Sequence, residues 1–182
     1  YFFTEEEYPF RLKECADAPI ILYGKGSLNV NTGRFVSIVG TRMPTDYGKA
    51  LTKQLVEDLA AYDPHITIVS GLAHGIDVHA HRAALQSGLN TFAIPGHALN
   101  TIYPAVHRNI AIEIIKHGGL LTEFNSKTIP DKSNFVRRNR IIAGLSDAVV
   151  VVESKRQGGS LITASFANSY SRDVFAFPGR CN

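Results

Sequence analysis

Residues 66–77 read ITIVSGLAHGID. The residues ITIV are typical of a strand, and the residues VHAHRAAL that follow Asp77 are typical of a helix. The connection passes through small residues and a histidine, and two interpretations of it are open. It is either a plain tight turn or a place where bare backbone approaches a negatively charged ligand.

The same alternation of strand and helix patterns extends over most of the chain. Apolar runs that predict buried strands occur at 20–23, 35–39, 66–69, 91–94, 120–122, 148–152 and 174–177. Helical patterns occur at 47–61, 77–87, 105–117, 135–143 and 161–170. Because strands that are apolar throughout are buried on both faces, this alternation predicts an α/β fold with a doubly wound, mostly parallel sheet and helices on both faces. Ligands of such folds bind beyond the carboxyl ends of the strands.

The size and composition of the chain fit one globular domain. It has 182 residues and a formal net charge of +3, which permits an anionic partner without requiring one. We expect residues 1–19 to be a lead-in segment and residues 20–182 to be a domain with a truncated C-terminal end. Both ends look cut, since the chain starts at Tyr1 rather than Met and stops directly after an apolar run and a Pro-Gly turn. Cys15 and Cys181 form no CxxC pair, which favours a reducing compartment. With no apolar run near the roughly 20 residues of a membrane span and no visible signal peptide, no membrane partner is expected.

The loops after the predicted strands repeatedly combine glycine, hydroxyl and basic residues. Backbone N–H groups at the helix N-termini that follow such loops favour anions. A single nucleotide rarely needs several basic loops, whereas a strand of phosphates uses them all. The candidate phosphate-binding residues are Gly40, Arg42, Ser70, Gly71, Arg108, Arg138, Asn139, Arg140, Gly159 and Ser160. Weaker candidates, for base contacts or the rim of the site, are His74, Tyr103, Phe135 and Lys155.

Other chemistries match the sequence less well. The loop after the strand at 35–39 is not GxGxxG, and no acidic residue ends the next strand, which disfavours a dinucleotide site. A metal site is disfavoured because the histidines around Asp77 lack an HExxH pattern or a cysteine pair. Ser70, His74 and Asp77 lack the GxSxG elbow of a hydrolase, and Asp77 most simply caps a helix, as Ser160 does. The arginines of 137–140 divide evenly between anion binding and structural roles, such as an Arg140 pair with Glu123 or Asp147.

Seven sequence blocks carry a resemblance to a known family. In chain order they are VGTRMPTDYG, SGLAHGIDVHAH, NTIYP, GGLLTEF, FVRRNRIIAGLS, VVVESKRQGGSLITA and DVFAFPG. Over about residues 20–180 this order resembles the DNA-processing protein A family (DprA, also called Smf). The resemblance implies an extended Rossmann-like domain that binds single-stranded DNA, protects incoming DNA during natural transformation and helps to load the RecA recombinase. It also implies a cytoplasmic protein that forms dimers, uses no cofactor and is not an enzyme.

The resemblance also assigns particular residues to the family's basic pocket. Arg42 matches the arginine of its glycine-x-arginine turn, and Arg108 matches a basic residue after its tyrosine-proline pair. Residues 138–140 match its arginine-asparagine-arginine motif, and residues 159–161 match its glycine-serine-leucine block. The stretch GHALNTIYP departs from the glycine-rich turn of many members, so the rim is expected to differ. The helical and winged-helix-like modules of many members are not in this sequence, and a homodimer is expected of the full-length protein.

These observations lead to one main hypothesis for the SGLAHGID turn. Ser70 and the Gly71 backbone would supply neutral donors to phosphates, while Arg42, Arg108 and Arg138 would supply charge. The alternative is a nucleotide-ligand sensor or nucleotide hydrolase on a related fold, since Glu123 and Glu153 also end predicted strands. A third possibility is an interaction scaffold for a recombinase with an incidental basic edge.

Overall fold

The computed structural model describes residues 1–27, 29–129 and 131–179. The predictions made for Cys181 and for the truncated C-terminal end lie outside the described residues. The strands are β1 (Tyr23–Gly26), β2 (Phe35–Val39), β3 (Thr67–Ser70), β4 (Asn90–Ala93), β5 (Gly118–Thr122), β6 (Ala148–Val151) and β7 (Asp173–Ala176). The helices are α1 (Phe10–Lys13), α2 (Asp46–Tyr62), α3 (Ile76–Gln86), α4 (Arg108–Lys116), α5 (Lys132–Leu145) and α6 (Gly159–Ser169). A 3-10 turn, Ala105–His107, precedes α4.

The described strands form one sheet in the order β1-β5-β4-β3-β2-β6-β7. β1 is antiparallel to β5, and every other neighbouring pair is parallel. The run β4-β3-β2-β6-β7 has the strand order of a Rossmann fold, and β5 and β1 extend it. The predicted fold class is therefore confirmed as an extended Rossmann-like, mostly parallel α/β sheet. The chain moves outward from β2 to β5 and returns to β6 on the other side of β2, so the switch point lies between β2 and β6.

Helices cover both faces of the sheet because neighbouring strand residues point to opposite sides. Ile38 and Ile68 pack with Val56 of α2 and Ala80 of α3. Their neighbours Val39 and Val69 pack on the other face, in a cluster that includes Ile141 and Ile142 of α5 and Ala167 of α6. In the lead-in segment, Tyr8 and Leu12 are fully buried in that second cluster. The lead-in is thus packed into the core.

Some predicted element boundaries are wrong. The strand expected at 20–23 lies at Tyr23–Gly26, because Ile21 makes only an isolated bridge with Phe2. The helix expected at 135–143 begins at Lys132, where the Asp131 side chain accepts a hydrogen bond from the Ser133 backbone N–H (3.0 Å). The other predicted strands and helices lie within a few residues of their expected places.

In the part of the chain that is described, none of the helices has the length and apolar character that crossing a membrane requires.

Candidate functional site

A crevice of about 540 Å³ opens beyond the carboxyl ends of β2 and β6. The loop after β2, residues 40–43, forms one wall, α5 forms another, and the N-terminus of α6 forms a third. Tyr103, from the long loop after β4, reaches its rim. The crevice therefore lies at the switch point, where ligands of doubly wound sheets bind.

The lining of the crevice carries an excess of positive charge. Its cationic residues are Arg42, Lys132, Lys155 and Arg138, and Asp77 is the acidic residue among the described residues that line it. Arg42, Lys132 and Lys155 are exposed, and none of them forms an ion pair with another described residue. Cations that have no protein partner and point at a concave surface favour an anionic ligand.

The loop that carries Arg42 is held against the start of α3. The Ile76 backbone N–H donates to the Thr41 carbonyl oxygen (3.1 Å). Gly75 has φ +80°, and a Cβ at this position would lie 2.2 Å from the Thr41 oxygen and 2.7 Å from the Arg42 Cα. Only glycine permits that conformation and that approach. The Gly-Ile pair of SGLAHGID thus fixes the position of the arginine loop.

The first half of SGLAHGID turns inward, which corrects two predictions. Ser70 is fully buried, and its hydroxyl donates to the Ile38 carbonyl oxygen (2.6 Å) rather than facing the crevice. The Gly71 backbone N–H donates to the Asp77 carboxylate, and so does that of Ala73 (3.4 Å). Asp77 is therefore more than a surface helix cap, because the turn wraps its backbone donors around the protein's own buried carboxylate.

Arg138 is the cationic counterpart of Asp77. It is only 4% exposed, and its Nη1 donates to the carbonyl oxygens of Gly71 (2.6 Å) and Ile94. A Cβ on Gly71 would lie 2.6 Å from both terminal nitrogens of Arg138 and from Asp77 Oδ2, so only hydrogen fits between these groups. Burial lowers the pKa of Arg138 to about 10, which leaves it charged at neutral pH. Burial also raises the pKa of Asp77, and the Arg138 charge and the turn's amides oppose that rise.

Arg140 lies away from the crevice, contrary to prediction. It donates to the Asp17 carbonyl oxygen and to Glu123 Oε2 (2.5 Å), and its side chain is buried. The Glu123 carboxylate also pairs with the exposed Arg137 (2.8 Å), while Asp147 pairs with Arg11. The structural alternative of an Arg140–Glu123 pair is therefore the one observed.

The N-terminus of α6 presents free backbone to the crevice. Gly158 is the N-cap and has no capping side chain, so the prediction of Ser160 as the cap is wrong. Ser160 is buried at the second position of the helix, and its hydroxyl donates to Ser154 Oγ (2.8 Å). Asn139 holds this turn by donating from Nδ2 to the Gly159 carbonyl oxygen (3.2 Å). Gly159 itself is exposed, with open space where a Cβ would lie.

Comparison with known proteins identifies the family. A sequence model described as DNA recombination-mediator protein A matches residues 1–182. The chain belongs to this DNA recombination-mediator protein A (DprA/Smf) family. The DNA processing protein DprA of Bacillus subtilis (strain 168) is 41% identical over 177 residues, which cover 97% of this chain and 59% of that protein. The chain thus spans less than two thirds of the length of this curated relative.

Two solved structures of the DprA/Smf family share the fold. The X-ray structure of DNA processing protein A from Streptococcus pneumoniae has a TM-score of 0.94 and 39% identity, covering 100% of this chain and 63% of that one. The second is a structure of DNA processing protein A from Helicobacter pylori that gives insight into the unique single-stranded DNA binding mode of that protein. It has a TM-score of 0.89 and 34% identity, covering 98% of this chain and 81% of that one.

Within this DprA/Smf fold, the remaining candidates divide between the crevice and its surroundings. Tyr103 is 55% exposed, and its ring lies 5.6 Å from that of Phe135, with both rings in the lining. Gly40 and Lys155 also line the crevice. His74 and Arg108 are exposed but lie outside the lining.

Sequence reasoning missed some of the lining residues. Lys132 was expected in the loop before α5 and was not among the candidates, whereas it is the first residue of that helix. Met43, which is 80% exposed in the lining, carries no sequence signal of its own. Among the described residues, no group of three or more histidine, cysteine or acidic side chains could hold a metal ion.

Proposed function

We propose that this chain binds single-stranded DNA in the crevice, mainly through phosphates and with little dependence on base sequence. One observation carries the proposal: three exposed, unpaired cations, Arg42, Lys132 and Lys155, surround a helix N-terminus that has no side-chain cap. Cations and free backbone donors fit phosphates, and such contacts carry no base information. The single-stranded DNA binding mode described for the Helicobacter pylori relative supports the same ligand class.

The aromatic residues give the bases a place in this proposal. The Tyr103 and Phe135 rings stand in the crevice lining beside the cations. Stacking on such rings contributes about 1–3 kcal/mol per base and tolerates any sequence. The phosphate-binding set we propose is Gly40, Arg42, Lys132, Lys155 and Gly159. Arg138 lines the crevice but is engaged with Asp77 and two backbone carbonyls, and Arg108 and His74 lie outside the crevice.

The wider role that we propose is binding and hand-over rather than bond breaking. In the cytoplasm, the full-length protein, as a homodimer, would hold single strands taken up in natural transformation and deliver them to the RecA recombinase for homologous recombination. The two carboxylates that would serve a nucleotide hydrolase have other partners. Glu123 pairs with arginines, and Glu153 accepts hydrogen bonds from the Thr45 backbone N–H (3.0 Å) and hydroxyl (3.1 Å).

Replacing Arg42 with alanine should weaken DNA binding equally on different sequences, because a phosphate contact carries no base information. The slope of log affinity against log salt should flatten by about 0.7–1, the value of one phosphate contact. Fluorescence anisotropy of labelled oligo-dT across a salt series measures both effects. Arg34→Ala is the matched control. Arg34 is an exposed arginine just before β2, at the amino-terminal ends of the parallel strands and therefore opposite the crevice.

Two outcomes would count against the proposal. Equal effects of Arg42→Ala and Arg34→Ala would mean that net charge, not the crevice, governs affinity. Strong competition by a mononucleotide, together with weak oligo-dT binding, would favour the small-nucleotide alternative. A matching duplex should compete poorly, since its paired and stacked bases are not available to the Tyr103 and Phe135 rings in the crevice lining.

Replacing Gly159 with alanine tests whether backbone donors of α6 contact a phosphate. The added methyl group meets no protein atom, so the free energy of unfolding should be unchanged or slightly raised. DNA affinity should fall at least about tenfold, because the methyl group would fill the space through which a phosphate reaches the α6 N–H groups, and a hydrogen bond to a charged group contributes about 1.5–3 kcal/mol. Ser165→Ala, an exposed position farther along α6, is the control. Unchanged affinity of Gly159→Ala would remove α6 from the phosphate site.

A further inference from the structure

A buried histidine supports the loop that carries Tyr103. His97, in the loop after β4, has no exposed surface and lies outside the crevice lining. Its Nδ1–H donates to the Ala98 carbonyl oxygen (2.8 Å), since a carbonyl oxygen can only accept a hydrogen bond. Nε2 then accepts a hydrogen bond from the Tyr103 backbone N–H (3.0 Å), and the Tyr103 carbonyl oxygen lies 3.3 Å from the same nitrogen. The imidazole therefore ties the start of this loop to Tyr103.

The same part of the loop is fixed to the sheet and to α5. Thr122 at the end of β5 is fully buried, and its hydroxyl lies 3.0 Å from the His97 carbonyl oxygen and 3.2 Å from that of Pro95. Gly96 packs directly against α5, because a Cβ there would lie 2.8 Å from Phe135 Cδ1 and 3.1 Å from its Cα. His97 thus stands on a fixed base that also contacts the second aromatic residue of the crevice.

The geometry of the two rings leaves one place for a base. The Tyr103 and Phe135 centroids are 5.6 Å apart, and the ring planes are inclined by 49°. A base between two rings needs about 7 Å from one ring to the other, since stacked carbon atoms approach to about 3.5 Å. Tyr103 is 55% exposed, whereas Phe135 is half-buried. A base can therefore stack on the outer face of Tyr103, with Phe135 behind that ring.

We propose that His97 is a positioning residue for DNA binding, whose hydrogen bond to the Tyr103 backbone holds that ring in place as a platform for one base. This inference rests on the proposed function and adds the residue that prepares the base contact. Without the bond, the loop would have to become ordered as the DNA binds, and that ordering lowers affinity. The effect should fall on the base contact, because Arg42, Lys132 and Lys155 belong to other segments of the chain.

The test separates base contacts from phosphate contacts by comparing oligo-dT with an abasic oligomer of the same length, which has the same phosphates and no bases. The wild type should bind oligo-dT at least about fivefold more tightly, as expected from stacking one base. The side chain of His97→Asn is too short to reach the Tyr103 N–H, so this affinity ratio should fall at least about twofold, as expected from losing one hydrogen bond. Affinity for the abasic oligomer should not change.

A conservative variant and a second buried histidine separate positioning from stability. His97→Gln should restore the wild-type ratio, because the glutamine side-chain oxygen reaches the place of Nε2 and accepts the same hydrogen bond. His81→Asn is the control, since His81 is also fully buried but contacts Thr91 under α3. It should lower the melting temperature and leave the ratio unchanged. A lower melting temperature of His97→Asn with a wild-type ratio would overturn the inference.

A tryptophan at position 103 supplies a direct readout, since the chain contains no tryptophan of its own. Oligo-dT should quench the emission of Tyr103→Trp and the abasic oligomer should not, because only a base can stack on the ring. Should His97→Asn fail to fold, Thr122→Val takes its place. It removes the hydroxyl that holds the His97 carbonyl oxygen, so it should also lower the affinity ratio, and an unchanged ratio would overturn the inference.

The failure of this inference differs from the failure of the proposed function. Equal wild-type affinity for the two oligomers would overturn the base platform and leave phosphate binding in the crevice in place. Binding of both oligomers that does not depend on Arg42 would overturn the crevice proposal, and the role of His97 with it.

Discussion

Replacing Arg138 with methionine is expected to destabilise the fold by about 3–5 kcal/mol. In a chain of this size, that loss lowers the melting temperature by roughly 6–20 °C. The guanidinium ties α5 to the residues that follow β3 and β4, because it donates to the carbonyl oxygens of Gly71 and Ile94. Its removal also leaves the buried Asp77 carboxylate without its cationic neighbour. Thermal and urea unfolding followed by circular dichroism measure the effect.

The adjacent arginine supplies a matched control. Arg137 lies on the same helix and carries the same charge, but its side chain is 62% exposed where it pairs with Glu123. Glu123 is buried but keeps Arg140 as its partner, and the Arg137 end of the pair is solvent-screened, so Arg137→Met should cost only about 0–1 kcal/mol. Adding Asp77→Asn to Arg138→Met should recover part of the lost stability, because it removes the uncompensated charge. Equal losses for the two arginine variants would mean that Arg138 is not a structural tie.

The fold could be predicted because its strands are buried on both faces. A stretch such as residues 148–152, with four consecutive valines, has no polar face and therefore predicts a central parallel strand. The sequence pattern misplaced the antiparallel edge strand β1 because this strand is not buried. Every residue of Tyr23–Gly26 is exposed, so no apolar pattern marks it, and only its pairing with β5 defines it.

The location of the site followed from topology, but the direction of each side chain did not. Successive helix residues are turned by about 100°, so Arg138 and Arg140 point roughly 200° apart and cannot share one crevice. The angle between Arg138 and Arg140 could therefore have been deduced from the sequence, once a helix was predicted there. Which of them faces the crevice depends on contacts from distant segments, since Arg138 meets Gly71 and Arg140 meets Asp17. Ser70 was misassigned similarly, because its acceptor, Ile38, lies on a neighbouring strand.

Stability should fall as the pH is lowered from 6.5, chiefly because of His81. This ring is fully buried, and its Nδ1 lies 2.7 Å from Thr91 Oγ1, whose own proton points to the Ile68 carbonyl oxygen. Burial, reinforced by His107 and Arg138, lowers the pKa of His81 to about 3. Between pH 6.5 and pH 3 the unfolded chain therefore binds a proton at this residue that the folded chain does not, so stability falls with pH. The loss is about 1.4 kcal/mol per pH unit, or about 2 kcal/mol between pH 6.5 and pH 5.

Urea unfolding of His81→Gln at several pH values isolates this contribution. Glutamine does not titrate, so the free energy of unfolding of the variant should depend less steeply on pH, by about 1.4 kcal/mol per unit between pH 6 and pH 4.5. Carboxylates also titrate in this range, but their effect is common to both proteins and cancels in the comparison. His65→Gln is the matched control at an exposed position just before β3, and it should keep the wild-type slope. A wild-type slope in His81→Gln would show that this histidine is not the group that is held neutral in the fold.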